Sequence, residues 1–114
     1  MYHRFNENKY PSTNIKIDVF EKQLELIEKN NIEYYDPIKF DTEFKYPKTN
    51  KKILITIDDA LSSFYEIAWP ILKKRKIPFI LFVSLQNISL AEWTTLNMLS
   101  PILGFNWAII FLKE

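Results

Sequence analysis

The sequence predicts an α/β fold built on a parallel sheet. Three observations predict it. Strand-like and helix-like patterns alternate from Met1 to about Leu99. Two segments, Lys52–Asp58 and Pro78–Ser84, carry apolar side chains on both alternating sets of positions, as a strand covered on both faces requires. One helical segment joins them, and such a strand–helix–strand unit closes with a right-handed crossover and parallel pairing.

The elements follow in chain order. Met1–Phe5 reads as a short strand, and the polar stretch Asn6–Asn14 with Pro11 reads as a loop. Asp18 and Glu21 have capping-box spacing. Phe20, Leu24 and Ile27 then recur at helical intervals, predicting a helix to about Asn30 with those three side chains in the core. Ile32–Tyr35 is a short strand. Asp36-Pro37 opens a brief helix, because proline suits a first helical turn. Phe44–Asn50 is a loop. After the strand at Lys52–Asp58, Ser62–Lys76 reads as a helix kinked at Pro70. Ser89 and Glu92 repeat the capping-box spacing before a helix to about Leu99. The apolar run Pro101–Leu112 is shorter than the ~20 residues a membrane-spanning helix needs. It reads as core, or as core sequence out of place.

Composition removes several function classes. The chain has 114 residues, of which 47% are hydrophobic and 16% aromatic, so it sits among core-forming domains and not disordered chains. Fifteen basic and fourteen acidic residues leave a net charge of +1, with no excess to hold nucleic acid. No cysteine is present, which excludes thiolate metal sites and thiol catalysis. A single glycine, Gly104, excludes glycine-rich phosphate and dinucleotide loops. A single histidine, His3, means a metal site that needs two histidines cannot be built from this chain. Met1 is followed by Tyr-His-Arg-Phe, so no secretory leader is expected at this start.

Asp58 and Asp59 are the candidate site. They end the strand pattern Lys51-Lys52-Ile53-Leu54-Ile55-Thr56-Ile57, and the C-terminal mouth of a covered parallel strand is where α/β folds place ligands and bases. Consecutive strand residues point to opposite faces, but where the chain turns at the strand end both carboxylates can reach the mouth.

Four ordered blocks carry a family resemblance. Ile55-Thr56-Ile57-Asp58-Asp59-Ala60 resembles the Thr-Phe-Asp-Asp-Gly motif of the polysaccharide deacetylases, the NodB-homology group. Tyr2-His3-Arg4-Phe5 resembles that group's opening strand. Ala68-Trp69-Pro70-Ile71-Leu72-Lys73-Lys74 and Ile77-Pro78-Phe79-Ile80-Leu81-Phe82-Val83-Ser84 resemble its next helix and strand. The resemblance implies a distorted (β/α) barrel with its site at the C-terminal strand ends. It implies that Asp58 is the general base, that Asp59 is a ligand to a divalent metal such as zinc, and that the substrate is an acetylated glycan. The metal would polarise the acyl carbonyl and acidify a bound water. The family's two histidine ligands come from a His-x-x-x-His segment beyond the third strand, and no histidine follows Ser84 here. The family's later motifs, which carry a substrate arginine and a second catalytic histidine, have no counterpart. Ala60 stands where the family has glycine. Glu92-Trp93-Thr94-Thr95-Leu96 is only an echo of a family helix. The resulting expectation is a partial barrel truncated after about three strands: 1–84 as the N-terminal part of the domain, 85–114 as a divergent apolar tail, and no deacetylase activity in this chain.

Plainer readings compete. Strand-end aspartates often form turns or helix caps. His3 could be a polar group near the same mouth, because strand ends cluster there, but a lone histidine more often satisfies a local hydrogen bond. Lys73, Lys74, Arg75 and Lys76 match the preference of helix C-termini for cations. Phe64, Tyr65 and Trp69 read as core and helix face in place of a sugar platform, and Trp93 and Trp107 carry no role. A non-catalytic remnant or interaction fragment is the main alternative. A phosphoacceptor receiver domain shares the acidic strand end, but no aspartate follows Asp59 to be phosphorylated. Open sheet edges in a partial barrel would favour self-association.

Overall fold

The computed structural model describes residues 1–39, 45, 51–84 and 107–112, the last six and Ser84 by backbone alone. All of the expected loop at 44–50 but Lys45, and the whole of the expected helix at 89–99, lie outside the described residues.

Three strands make the central sheet: β5 (Ile55–Ile57), β6 (Phe79–Ser84) and β7 (Trp107–Leu112), all parallel, in the order β5-β6-β7. The adjacent parallel pairing of the two strands expected around Ile53–Ile57 and Phe79–Val83 is therefore present. Ile55, Ile57, Phe79, Leu81 and Val83 are buried, and Ile80 from the opposite face of β6 is buried too. The N-terminal segment adds to the other edge. Tyr2 bridges Ile57 in parallel, through Tyr2 N–H to the Thr56 carbonyl at 2.9 Å and Asp58 N–H to the Tyr2 carbonyl at 2.8 Å.

Two short parallel pairs flank this sheet. β1 (Arg4–Phe5) pairs with β2 (Asn14–Ile15), and β3 (Glu33–Tyr34) pairs with β4 (Lys52–Ile53). The segment read as one strand over Lys52–Asp58 is thus divided at Leu54. Its first half pairs with β3, where Lys52 faces Glu33 with Nζ 3.6 Å from Oε2, and its second half pairs with β6. Periodicity cannot reveal this, because both halves keep the same apolar pattern while changing partners. The described strands form an α/β arrangement of small parallel sheets and do not close a barrel.

α1 (Ile17–Lys29) buries Phe20, Leu24 and Ile27, the three positions the helical period selects. Its start differs from expectation. The helix begins one residue before Asp18, and no side chain of its own caps it. Asn6, eleven residues upstream, accepts the Ile17 N–H through Oδ1 at 2.8 Å. Asp18 instead sits in the first turn, where a negative charge suits the helix dipole. Asp36-Pro37 forms a turn and no helix: Asp36 Oδ1 accepts the Ile38 N–H at 2.9 Å, the competing bond that aspartate offers to a backbone.

The expected kink at Pro70 appears as a change of helix type. Phe64–Ala68 winds as a wide π turn, and α2 (Trp69–Arg75) continues as an α-helix with Pro70 in its first turn. Pro70 has no N–H to return to a carbonyl one turn back, so the ladder is re-spaced at that point. Lys76, at φ 55°, ends α2 in the left-handed conformation. Arg75 does more than complement the dipole. It reaches Glu25 at 3.7 Å and Glu28 at 3.3 Å, tying the end of α2 to α1. Phe64 and Trp69 lie in the core, as expected for helix-face aromatics.

The apolar run read as a tail contributes β7 through its second half. Six consecutive residues from Trp107 to Leu112 pair with Phe79 to Ser84. The run reads in sequence as core, or as core sequence out of place, and this part of it is a strand of the central sheet. No helix among the described residues is long and apolar enough to cross a membrane.

Between α1 and the sheet lies one uncompensated group. The Tyr34 hydroxyl is buried and meets no partner among the described residues. Burial, with Glu28 nearby, pushes its pKa up to about 12, because the phenolate would have neither water nor a donor.

Candidate functional site

The last rung between Asp58 N–H and Tyr2 closes β5, and the chain then turns sharply. Asp59 and Ala60 both have positive φ, 68° and 46°. Left-handed backbone costs a non-glycine residue roughly 1–2 kcal/mol, and such positions gather at sites where an aimed side chain is worth the strain. Here the turn breaks strand alternation, so that consecutive carboxylates face one histidine. His3 Nδ1 lies 3.4 Å from Asp59 Oδ2, and His3 Nε2 lies 3.9 Å from Asp58 Oδ2. The mouth is open to solvent: the Asp59 side chain is 44% exposed, Asp58 26% and His3 27%. One oxygen of Asp58, Oδ1, is buried without a hydrogen-bond partner among the described residues.

The structure thus brings Asp58, Asp59 and His3 together. In sequence His3 reads first as a hydrogen-bonding residue and second as a polar group near this mouth; it does hydrogen-bond, to Asp59, and its approach to both aspartates at once is what sequence reasoning missed. The signal was available in the Tyr-His opening strand. A residue just after Tyr2 must lie beside the end of β5 once Tyr2 pairs with Ile57.

Ser63 braces the turn from behind. Its Oγ accepts the Phe5 N–H at 3.2 Å, and its hydroxyl donates to the Glu7 carboxylate. That bond, with the hydrogen bond and charge of Arg4 at 2.7 Å, holds the Glu7 carboxyl below the usual carboxylate range. Ser63 is 7% exposed, and nothing in its sequence context marks it.

Ala60 has φ 46° where the resembled motif has glycine, so its Cβ is strained in place. It is also buried. For Ala60→Gly the relieved strain opposes a lost buried methyl of about 0.8 kcal/mol and a more flexible unfolded chain, about 0.4–1 kcal/mol. The net change should stay within about 0.5 kcal/mol. Ala68, fully buried with right-handed helical φ, has no strain to release. Ala68→Gly should cost about 2 kcal/mol from propensity and burial together. Urea midpoints of the two variants check this. Equal losses would mean that the turn at Ala60 is not left-handed.

A cavity of 540 Å³ opens beside His3, with Tyr2, Ser12, Thr13, Asn14 and Gln23 in its walls. Tyr2 donates its hydroxyl hydrogen to Gln23 Oε1 at 2.6 Å there. Met1 and Ile15 complete the lining, so its walls mix polar and apolar surface.

No group of three histidine, cysteine or carboxylate side chains among the described residues is arranged to hold a metal ion. At the mouth of β5, the His3 Nδ1 and Asp59 Oδ2 donors stand 3.4 Å apart.

No protein-family model and no curated protein matches the chain. Among solved structures, the chain is similar to the Streptococcus pyogenes deacetylase PplD in complex with acetate, with a TM-score of 0.68 and 20% identity. The match covers 100% of this chain and 54% of that one, so the chain spans about half the length of its structural neighbour. At this identity the likeness establishes a deacetylase-like fold.

Proposed function

We propose that the chain carries the carboxylate half of a metal-dependent polysaccharide deacetylase site, of the NodB-homology type, directed at acetylated glycans. The observation that carries this reading is the Asp58–Asp59 pair on a strained turn at the mouth of β5, in a fold shared with a deacetylase. Asp58 is the general base. Its position at the strand mouth lets it take a proton from a water held there. Asp59 is the carboxylate ligand, and a divalent cation held there would polarise the acyl carbonyl. The cavity beside His3, with polar walls from Ser12, Thr13, Asn14 and Gln23 and apolar ones from Met1 and Ile15, suits the hydroxyl and methyl-bearing acetamide groups of a glycan, and its size lies in the usual range for small-ligand sites.

A catalytic zinc site usually has three protein ligands. No three such donors are grouped among the described residues, and Asp59 is the one ligand the resemblance assigns, so the 114-residue chain should bind zinc weakly and release no acetate from acetylated chito-oligosaccharides. Calorimetric titration with zinc and an acetate-release assay check both. Tight one-to-one binding, with turnover abolished by Asp58→Asn, would overturn the inactivity and leave the family reading standing.

A second reading, a non-catalytic fragment of the same fold, draws on the lack of a three-donor group among the described residues. NMR shift mapping with acetylated chito-oligosaccharide separates the two. Perturbation around Tyr2, Thr13 and Gln23 supports the glycan site, and an unchanged spectrum supports the fragment.

A further inference from the structure

We propose that His3 is itself a metal donor, forming with Asp59 a two-donor site for a divalent transition-metal cation. This assignment rests on the deacetylase reading of the mouth of β5 and adds to it a nitrogen ligand from the opening strand.

The geometry is specific. Zinc bonds to imidazole nitrogen and carboxylate oxygen are about 2.0–2.2 Å, and two such donors on a tetrahedral centre stand about 3.4 Å apart. His3 Nδ1 and Asp59 Oδ2 are 3.4 Å apart. In this structure the two atoms share a hydrogen bond, longer than the about 2.7–2.9 Å of a charge-assisted one. The pair can exchange that bond for an ion between the two atoms without moving apart. Asp58 is excluded from the pair because its Oδ2 faces the other ring nitrogen, Nε2, at 3.9 Å. A cation at Nδ1 leaves Asp58 beside the site, free to act as the base.

Backbone bonds hold the pair in place. The Tyr2–Ile57 bridge sets the opening strand against the end of β5, and the left-handed turn at Asp59 aims its carboxylate toward the opening strand. Both donors are partly exposed, so an ion can enter. A nitrogen donor selects zinc, cobalt or nickel over magnesium and calcium, which prefer all-oxygen shells. Water would fill the remaining positions, so the site binds far more weakly than a closed four-donor site.

The test is calorimetric titration of the full 114-residue chain with zinc chloride, with magnesium chloride as the control, joined to nitrogen NMR of the single imidazole. Zinc should bind one-to-one and shift Nδ1 in preference to Nε2, while magnesium leaves the ring unchanged. His3→Ala, His3→Gln and Asp59→Asn should each weaken zinc at least tenfold, and Asp58→Asn by less than threefold. Melting curves confirm that each variant is folded. If a variant unfolds, the wild-type ring shifts decide alone. Zinc affinity unchanged within twofold in His3→Gln and Asp59→Asn, or a shift confined to Nε2, overturns the assignment. Glycan shift mapping around Thr13 and Gln23 is independent of this result, so a failed metal arm with retained glycan binding removes His3 as a ligand and not the deacetylase reading.

Discussion

Phe64→Ala should cost about 3–5 kcal/mol, the usual range for truncating a buried phenylalanine whose surroundings cannot collapse. Phe64 is fully buried. Its ring meets Phe79 edge-on at 5.6 Å and Trp69 at 6.4 Å, and those two rings meet each other at 5.7 Å. The three aromatics join the π turn, α2 and β6. Removing the first leaves a cavity between a helix and a sheet that are each pinned elsewhere, α2 by Arg75 and β6 by its parallel neighbours. A domain of this length has a total stability of roughly 6–17 kcal/mol, so the loss is a large fraction of it. Phe64→Leu keeps most of the volume and should cost about 1–1.5 kcal/mol. Urea denaturation of both variants gives the comparison. A Phe64→Ala loss below about 1 kcal/mol would mean that the aromatic cluster is not the junction of these elements. Because Phe64 follows the turn directly, the His3–Asp59 contact should loosen with it, readable as weaker zinc binding by the same variant.

Much of this architecture is written locally. The helical interval of Phe20, Leu24 and Ile27 states which face of α1 is buried, because three residues on one stripe have only one way to leave water together. The two apolar strands around one helix imply their own parallel pairing, and the match of β5 to β6 follows. Asp58 and Asp59 were placed at the mouth because a strand pattern ends there. What stayed hidden was set by distant partners. Asn6 caps α1 from outside the helix, which no spacing rule inside the helix can reveal. The division of one apolar run between β4 and β5 depends on which neighbours are present on each side. His3 became a site residue only through the Tyr2–Ile57 bridge, a contact across more than fifty residues. Ser63, an ordinary serine in sequence, matters because Phe5 and Glu7 both need its hydroxyl.

The apolar C-terminal run shows the same limit with a larger consequence. As sequence, Ile102, Leu103, Phe105, Trp107, Ile109, Ile110, Phe111 and Leu112 read as a hazard whose removal should improve solubility. In the structure, five of these residues, Trp107 and Ile109 to Leu112, lie with Ala108 in the parallel ladder beside β6. Deleting 101–114 should therefore harm the protein. The ladder's backbone bonds contribute about 1 kcal/mol each, so several kcal/mol are lost together. The deletion also uncovers the N–H and C=O groups along Phe79–Ser84, a six-residue apolar edge of the kind that templates pairing between chains. The expected result in analytical sedimentation is that residues 1–100 aggregate at concentrations where the full chain stays smaller, and that the deletion variant loses its cooperative melt. A deletion variant that is more monodisperse and equally stable would show that β7 contributes nothing to the sheet and that the run is a tail after all. With β7 in place along β6, self-association of the full chain would have to proceed through another edge.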